Sequence, residues 1–103
     1  MAKKTLELLT ETMFYVLMAL RSRELCGTEI ADYIKNKTTD RVLIGPGTLY
    51  TILSKFMTEK LIKEVDVTGR KRTYAITPAG RSAFNDELKR LRACVADAER
   101  EGF

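Results

Sequence analysis

Residues 45–80 read GPGTLYTILSKFMTEKLIKEVDVTGRKRTYAITPAG, and the hydrophobic period changes twice within them. Leu49, Ile52, Leu53, Phe56 and Lys60 fall on one face of a helix that opens at Gly45-Pro46-Gly47-Thr48. Pro46 suits the first turn, where its missing N–H costs nothing, and the stem of Lys60 can lie over apolar surface. From Leu61 the period drops to two. Val65, Val67, Tyr74 and Ile76 alternate with other residues and predict two strands, Leu61–Val67 and Thr73–Thr77. Gly69 supplies the turn between them, within a tip that carries Arg70, Lys71 and Arg72. Thr77-Pro78-Ala79-Gly80 then opens another helix, with Thr77 as N-cap and Pro78 in its first position.

The opposite face of the first of these helices carries Gly47, Thr48, Thr51, Ser54, Lys55 and Thr58. It is small, polar and free of acid, whereas a helix face that is merely solvated mixes glutamate with lysine. A face of this kind can enter a major groove without repelling phosphates. The three cations at the hairpin tip have two readings. They solubilise the tip and discourage edge pairing, or they form a wing that meets phosphates or a narrow minor groove. The hairpin follows directly on the smooth helix, which favours the wing. The candidate DNA contacts are therefore Thr48, Tyr50, Thr51, Ser54 and Lys55 on the helix, and Arg70, Lys71 and Arg72 on the wing. Tyr50 flanks the apolar face, so two roles stay open for it: a hydroxyl on a phosphate, or a core ring with a solvated hydroxyl.

Charge supports the same segment. The net charge is +4 over 103 residues. Residues 1–40 hold six basic and six acidic side chains and residues 81–103 hold five of each, while residues 41–80 hold seven and three. The whole excess lies in the middle, a local basic field of the kind that a polyanion binder needs. A length of 103 residues suits a single folded unit, and 45% apolar content is that of a globular protein. The longest apolar run, Met13–Leu20, is far short of the roughly 20 residues of a membrane span, and no secretory signal is legible, so a cytoplasmic protein is expected. There is no histidine and no Gly-rich phosphate loop, which argues against an enzyme and against a metal or cofactor. Cys26 and Cys94 fit no metal spacing and read as reduced, space-filling thiols.

The flanking helices carry a second message. A first helix is predicted from about Thr5 to Arg21, with Leu6, Leu9, Met13, Leu17 and Leu20 at helical spacing. From Met13 to Leu20 it has no polar face, which calls for burial on more than one side and so for a partner subunit, a ligand or both. A second helix opens at Gly27 or Thr28, with Ile30, Ala31 and Ile34 inward, and stops in Asn36–Thr39. In the last helix Phe84, Leu88, Leu91, Val95 and Ala98 form a heptad seam. A homodimer follows, with Met13, Phe14, Leu17, Phe84, Leu88, Leu91 and Val95 at its interface. Met13, Phe14, Leu17 and Leu88 are also candidates to line an apolar effector pocket, against the default of plain packing. The expected division is a winged-helix head over residues 1–80 and a dimerisation helix over residues 81–103. The fold class is mainly α with a small β-hairpin (α+β). The rival to DNA binding is a winged-helix module that docks an acidic protein partner.

The order helix, helix, helix, wing, long helix resembles the PadR family of transcription regulators in its short form. The likeness rests on Pro46-Gly47-Thr48-Leu49-Tyr50, Leu53, Lys60-Leu61-Ile62, Arg72-Thr73-Tyr74 and Thr77-Pro78-Ala79-Gly80, and covers about Thr10 to Leu91. Two features depart from the family pattern: Cys26-Gly27-Thr28 stands where His-Gly-Tyr is frequent, and the wing turn is short. The resemblance implies a homodimeric repressor on an inverted-repeat operator, released by a phenolic, drug-like or other effector or by another signal.

Overall fold

A computed structural model of the chain describes residues 9–103. Among these, the elements are α1 (Glu11–Ser22), β1 (Leu25–Cys26), α2 (Gly27–Lys37), α3 (Pro46–Thr58), β2 (Ile62–Thr68), β3 (Lys71–Ile76) and α4 (Pro78–Arg100). The strands form one antiparallel sheet in the order β1-β3-β2. This is the α+β winged helix expected from the sequence, with one addition. Leu25 and Cys26 pair with Tyr74 and Thr73, so the hairpin gains a third, very short strand ahead of α2.

The first helix begins at Glu11, later than its periodicity implies, because Thr10 takes the N-cap and its hydroxyl accepts the Met13 N–H at 3.1 Å. Thr5 and Leu6 lie outside the described residues. The apolar stretch is buried on several sides, as its lack of a polar face demands, but the chain itself supplies those sides. α2, β3 and α4 all pack on α1, and Val16, Leu17 and Ala19 have no exposed surface. Each large apolar side chain so enclosed contributes about 1.5–3 kcal/mol. Phe14 stacks on Phe84 of α4 at 4.7 Å with the rings almost parallel, and the Arg21 guanidinium lies over the other aromatic partner's ring, that of Phe84, at 5.1 Å.

The C-terminus of α3 is closed by a Schellman motif. The Leu61 N–H donates to the Phe56 carbonyl at 2.8 Å and the Lys60 N–H to Met57 at 3.0 Å. Lys60 therefore lies outside the helix, exposed, with φ at 62°, and does not cover the apolar face. A left-handed conformation costs a residue with a Cβ about 1–2 kcal/mol. Lys60→Gly should accordingly stabilise the fold by about 1 kcal/mol after the extra freedom of glycine in the unfolded chain is counted. Urea unfolding curves of the two proteins check this, and a lower midpoint for the glycine variant would contradict it.

Helix α4 starts against the end of α3. Thr77 caps it by accepting the Gly80 N–H at 3.0 Å, and the same hydroxyl donates to the Lys60 carbonyl at 2.7 Å. The Thr77 N–H donates to the Leu61 carbonyl at 3.0 Å. Phe84 and Glu87 are buried, Leu88 and Leu91 half-buried, and beyond Leu91 the helix is almost wholly exposed. The buried Glu87 is held by Arg90, whose Nε donates at 2.9 Å and whose second amino group donates at 2.5 Å. Those hydrogen bonds keep its carboxyl below the ordinary range despite burial. Cys26 is buried as expected, whereas Cys94 is exposed on α4 and fills no space.

Candidate nucleic-acid interface

Leu49, Ile52, Leu53 and Phe56 point inward and hold α3 on the core, so the helix presents its other side to solvent. Gly47, Thr48, Thr51, Ser54, Lys55 and Thr58 are all exposed there, as the pattern requires. Thr51 spends its hydroxyl proton on the Gly47 carbonyl at 3.0 Å, which leaves lone pairs facing outward. Tyr50 is 55% exposed. It is not a core ring. It leans across to the start of α2, where a side chain on Gly27 would begin 3.6 Å from its hydroxyl.

The wing differs in detail from its expected form. The strands run closer to the tip, with Thr68 opposite Lys71 and Val67 opposite Arg72. Only Gly69 and Arg70 make the turn, with φ of Gly69 at 61° and no positive φ at Arg70, the pattern of a II′ hairpin. Lys71 and Arg72 thus belong to β3 rather than to the tip. A bulge between Glu64 and Asp66 breaks the ladder and with it the alternation of Val65 and Val67, both of which are exposed.

Tyr50, Arg70, Lys71, Arg72 and Tyr74 meet Cys26, Gly27, Thr28 and Glu29 around one open cleft between wing, α2 and α3. Sequence reasoning placed the recognition helix and the wing cations separately; the cleft joins them through the start of α2, which it had not included. Two acids belong to this surface. Glu29 accepts the Cys26 N–H at 2.9 Å, a contact that holds its carboxyl below the usual range. Glu64 receives both hydrogen bonds of one Arg72 amino group, each at 3.1 Å. Burial, reinforced by Glu64, raises the Tyr74 phenol above its ordinary pKa, so it stays a neutral donor. Arg72, expected to be free for phosphate, is thus already ion-paired. No signal in the sequence marked Glu64, because the bulge that brings it within reach is invisible to a period-two reading.

The remaining candidates lie elsewhere. Met13, Phe14, Leu17 and Phe84 are buried within the chain. Their surface is already covered by neighbouring elements, which leaves Leu88, Leu91 and the 56% exposed Val95 as the open part of the seam. Of the four residues considered for an effector pocket, Leu17 is fully enclosed and Phe14 is stacked, so packing accounts for them here. Among the described residues no cluster of His, Cys, Asp or Glu could hold a metal, and no helix is long and apolar enough to cross a membrane.

The family model of the transcriptional regulator PadR-like family matches residues 16–86. A transcriptional regulator from Clostridium thermocellum shares the fold with a TM-score of 0.79 at 22% identity, over 89% of this chain and 90% of that one. Bacillus subtilis PadR, solved in complex with operator DNA, matches at 26% identity and a TM-score of 0.65, over 74% of this chain and 45% of that one. An uncharacterised 37.1 kDa protein of transposon Tn4556 from Streptomyces fradiae is 32% identical over 77 residues, which is 75% of this chain but 22% of that protein. The chain thus spans less than a quarter of that relative. With a match across most of its length and a winged helix built on the same elements, the chain belongs to the PadR-like family of transcriptional regulators.

Proposed function

We propose that the chain binds duplex DNA as a homodimeric repressor that reads an inverted-repeat operator. The observation that carries the proposal is the acid-free exposed face of α3 on a helix whose Tyr50 lines one cleft with Arg70 and Lys71 of the wing. A helix face of that size fits a major groove, and cations beside it fit the adjoining phosphates. The operator complex of the Bacillus subtilis relative supports DNA as the partner. Thr48, Tyr50, Thr51, Ser54 and Lys55 would lie at the groove, with the wing on the backbone. In this reading residues 1–80 form the reading head and residues 81–103 the pairing helix, although the first turns of α4 belong to the core of the head.

Pairing is supported by the stripe of half-buried Leu88 and Leu91 and exposed Val95 along α4, backed from inside by Phe84 and by Met13, Phe14 and Leu17 of α1. Two-fold related helices would bury that stripe against its own copy. Release by a small apolar or aromatic effector completes the proposal; such a ligand would have to open the packing of Phe14 against Phe84. The function is tested by gel shift with the DNA upstream of the chain's own gene, over a salt series. Retarded complexes that weaken steeply with salt support it, and binding only to an acidic protein would favour the rival module. Val95→Asp tests the pairing. Val95 is exposed in the single chain, so the variant should remain helical yet run at half the wild-type mass in light scattering. An unchanged mass would place the interface elsewhere.

A further inference from the structure

The wing carries three cations, and they are not equivalent. Among the described residues, Arg70 and Lys71 have no ion-pair partner, whereas Arg72 is paired with Glu64. One Arg72 amino nitrogen lies 3.1 Å from both Glu64 carboxylate oxygens, so a charged donor of the kind that meets phosphate is already engaged in the free protein. The pair is built by the strand irregularity. The bulge between Glu64 and Asp66 places Glu64 opposite Tyr74, next to Arg72 on the neighbouring strand, and the Glu64 side chain is only 24% exposed. Asp66 makes no such contact and instead accepts the Thr68 hydroxyl. Arg72 also lines the cleft that faces the recognition helix.

We propose that Glu64 is an internal competitor for DNA phosphate: it occupies the Arg72 guanidinium in the free protein and so limits the sequence-independent part of DNA affinity. This rests on the DNA-binding reading above. A phosphate can take Arg72 only by displacing a carboxylate already in place, so Arg72 adds little net affinity. Arg70 and Lys71 make no salt bridge among the described residues and so have no bonded carboxylate to displace, although Lys71 does feel the charge of Glu29. Phosphate contacts position a protein without reading sequence. A wing with one cation neutralised therefore holds unrelated DNA less tightly and leaves more of the discrimination to α3.

The rival role for the pair is a brace that orients the wing, and the two roles predict opposite signs. The test measures binding of the full chain to a short mixed-sequence duplex by fluorescence anisotropy over a salt series. For a competitor, Glu64→Gln frees one cation, so affinity rises roughly fivefold near physiological salt and the log–log salt slope steepens by about 0.9. Adding Arg72→Gln to that variant should abolish the gain. Asp86→Asn, which removes an exposed carboxylate from α4, should give a clearly smaller gain and so controls for bulk charge. Thermal melts confirm that each variant is folded. Weaker or unchanged binding by folded Glu64→Gln, or a gain matched by Asp86→Asn, overturns the proposal while leaving DNA binding intact. A wild-type protein with no salt-dependent affinity for any duplex overturns both.

Discussion

Replacing Gly80 with alanine is expected to lower the melting temperature by roughly 12–24 °C, which corresponds to about 3 kcal/mol for a domain of this size. A Cβ at that position would lie 2.1 Å from the Leu61 carbonyl oxygen and 2.7 Å from a side-chain carbon of Ile76. The oxygen cannot swing aside, because it accepts the Thr77 N–H at 3.0 Å in the same turn. Relief requires α4 to lift from the base of the wing, which would also loosen the Phe84 stack on α1. Gly47→Ala is the matched control. Nothing lies within 4 Å of the added atom, so that variant should melt at or slightly above the wild type. Circular dichroism melts of the three proteins decide the matter. A Gly80→Ala curve that overlays the wild type would show that α4 does not rest on Leu61.

The second large effect concerns function. The double variant Arg70→Ala, Lys71→Ala should bind DNA roughly 30-fold more weakly near physiological salt, with a log–log salt slope reduced by about 1.8, because each lost phosphate contact removes about 0.9 from the slope. Both side chains are exposed, have no ion-pair partner among the described residues and lie at or beside the turn, so the loss should leave stability within about 0.5 kcal/mol. Removing the balanced pair together, with Arg72→Ala and Glu64→Gln, should cost much less than losing either Arg70 or Lys71, since the two charges cancel. Anisotropy titrations at several salt concentrations measure all three. An unchanged slope for the folded Arg70→Ala, Lys71→Ala variant would remove the wing from the interface.

What the sequence showed and what it hid follow from the range of the interactions involved. The helix signals at Pro46 and Thr77, the turn at Gly69 and the inward face Leu49, Ile52, Leu53 and Phe56 are local, and each is found where the pattern put it. β1 escaped because two residues show no period, and their pairing with Thr73 and Tyr74 spans a long stretch of chain. The Glu64–Arg72 pair escaped because a bulge resets the alternation on which strand reading depends. Met13, Phe14 and Leu17 were expected at a subunit boundary because their helix lacks a polar face, and Phe84 because it falls on a heptad seam. Three elements of the chain nevertheless close around α1 and cover them. Lys60 was placed on the helix face because period alone cannot see the left-handed residue that ends α3. Gly80 was visible as part of a motif, but the reason for it is a carbonyl that approaches from another part of the chain.

The Lys60 and Leu61 carbonyls serve the end of α3 and the start of α4 together: one takes the Thr77 hydroxyl, the other takes the Thr77 N–H and lies against Gly80. In kinematic terms this junction pins the first turn of α4 to the residues that close α3. It restrains the angle between the α3 and α4 axes. In a pair of chains joined along α4, the separation and tilt of the two α3 helices would then follow from the geometry of the seam.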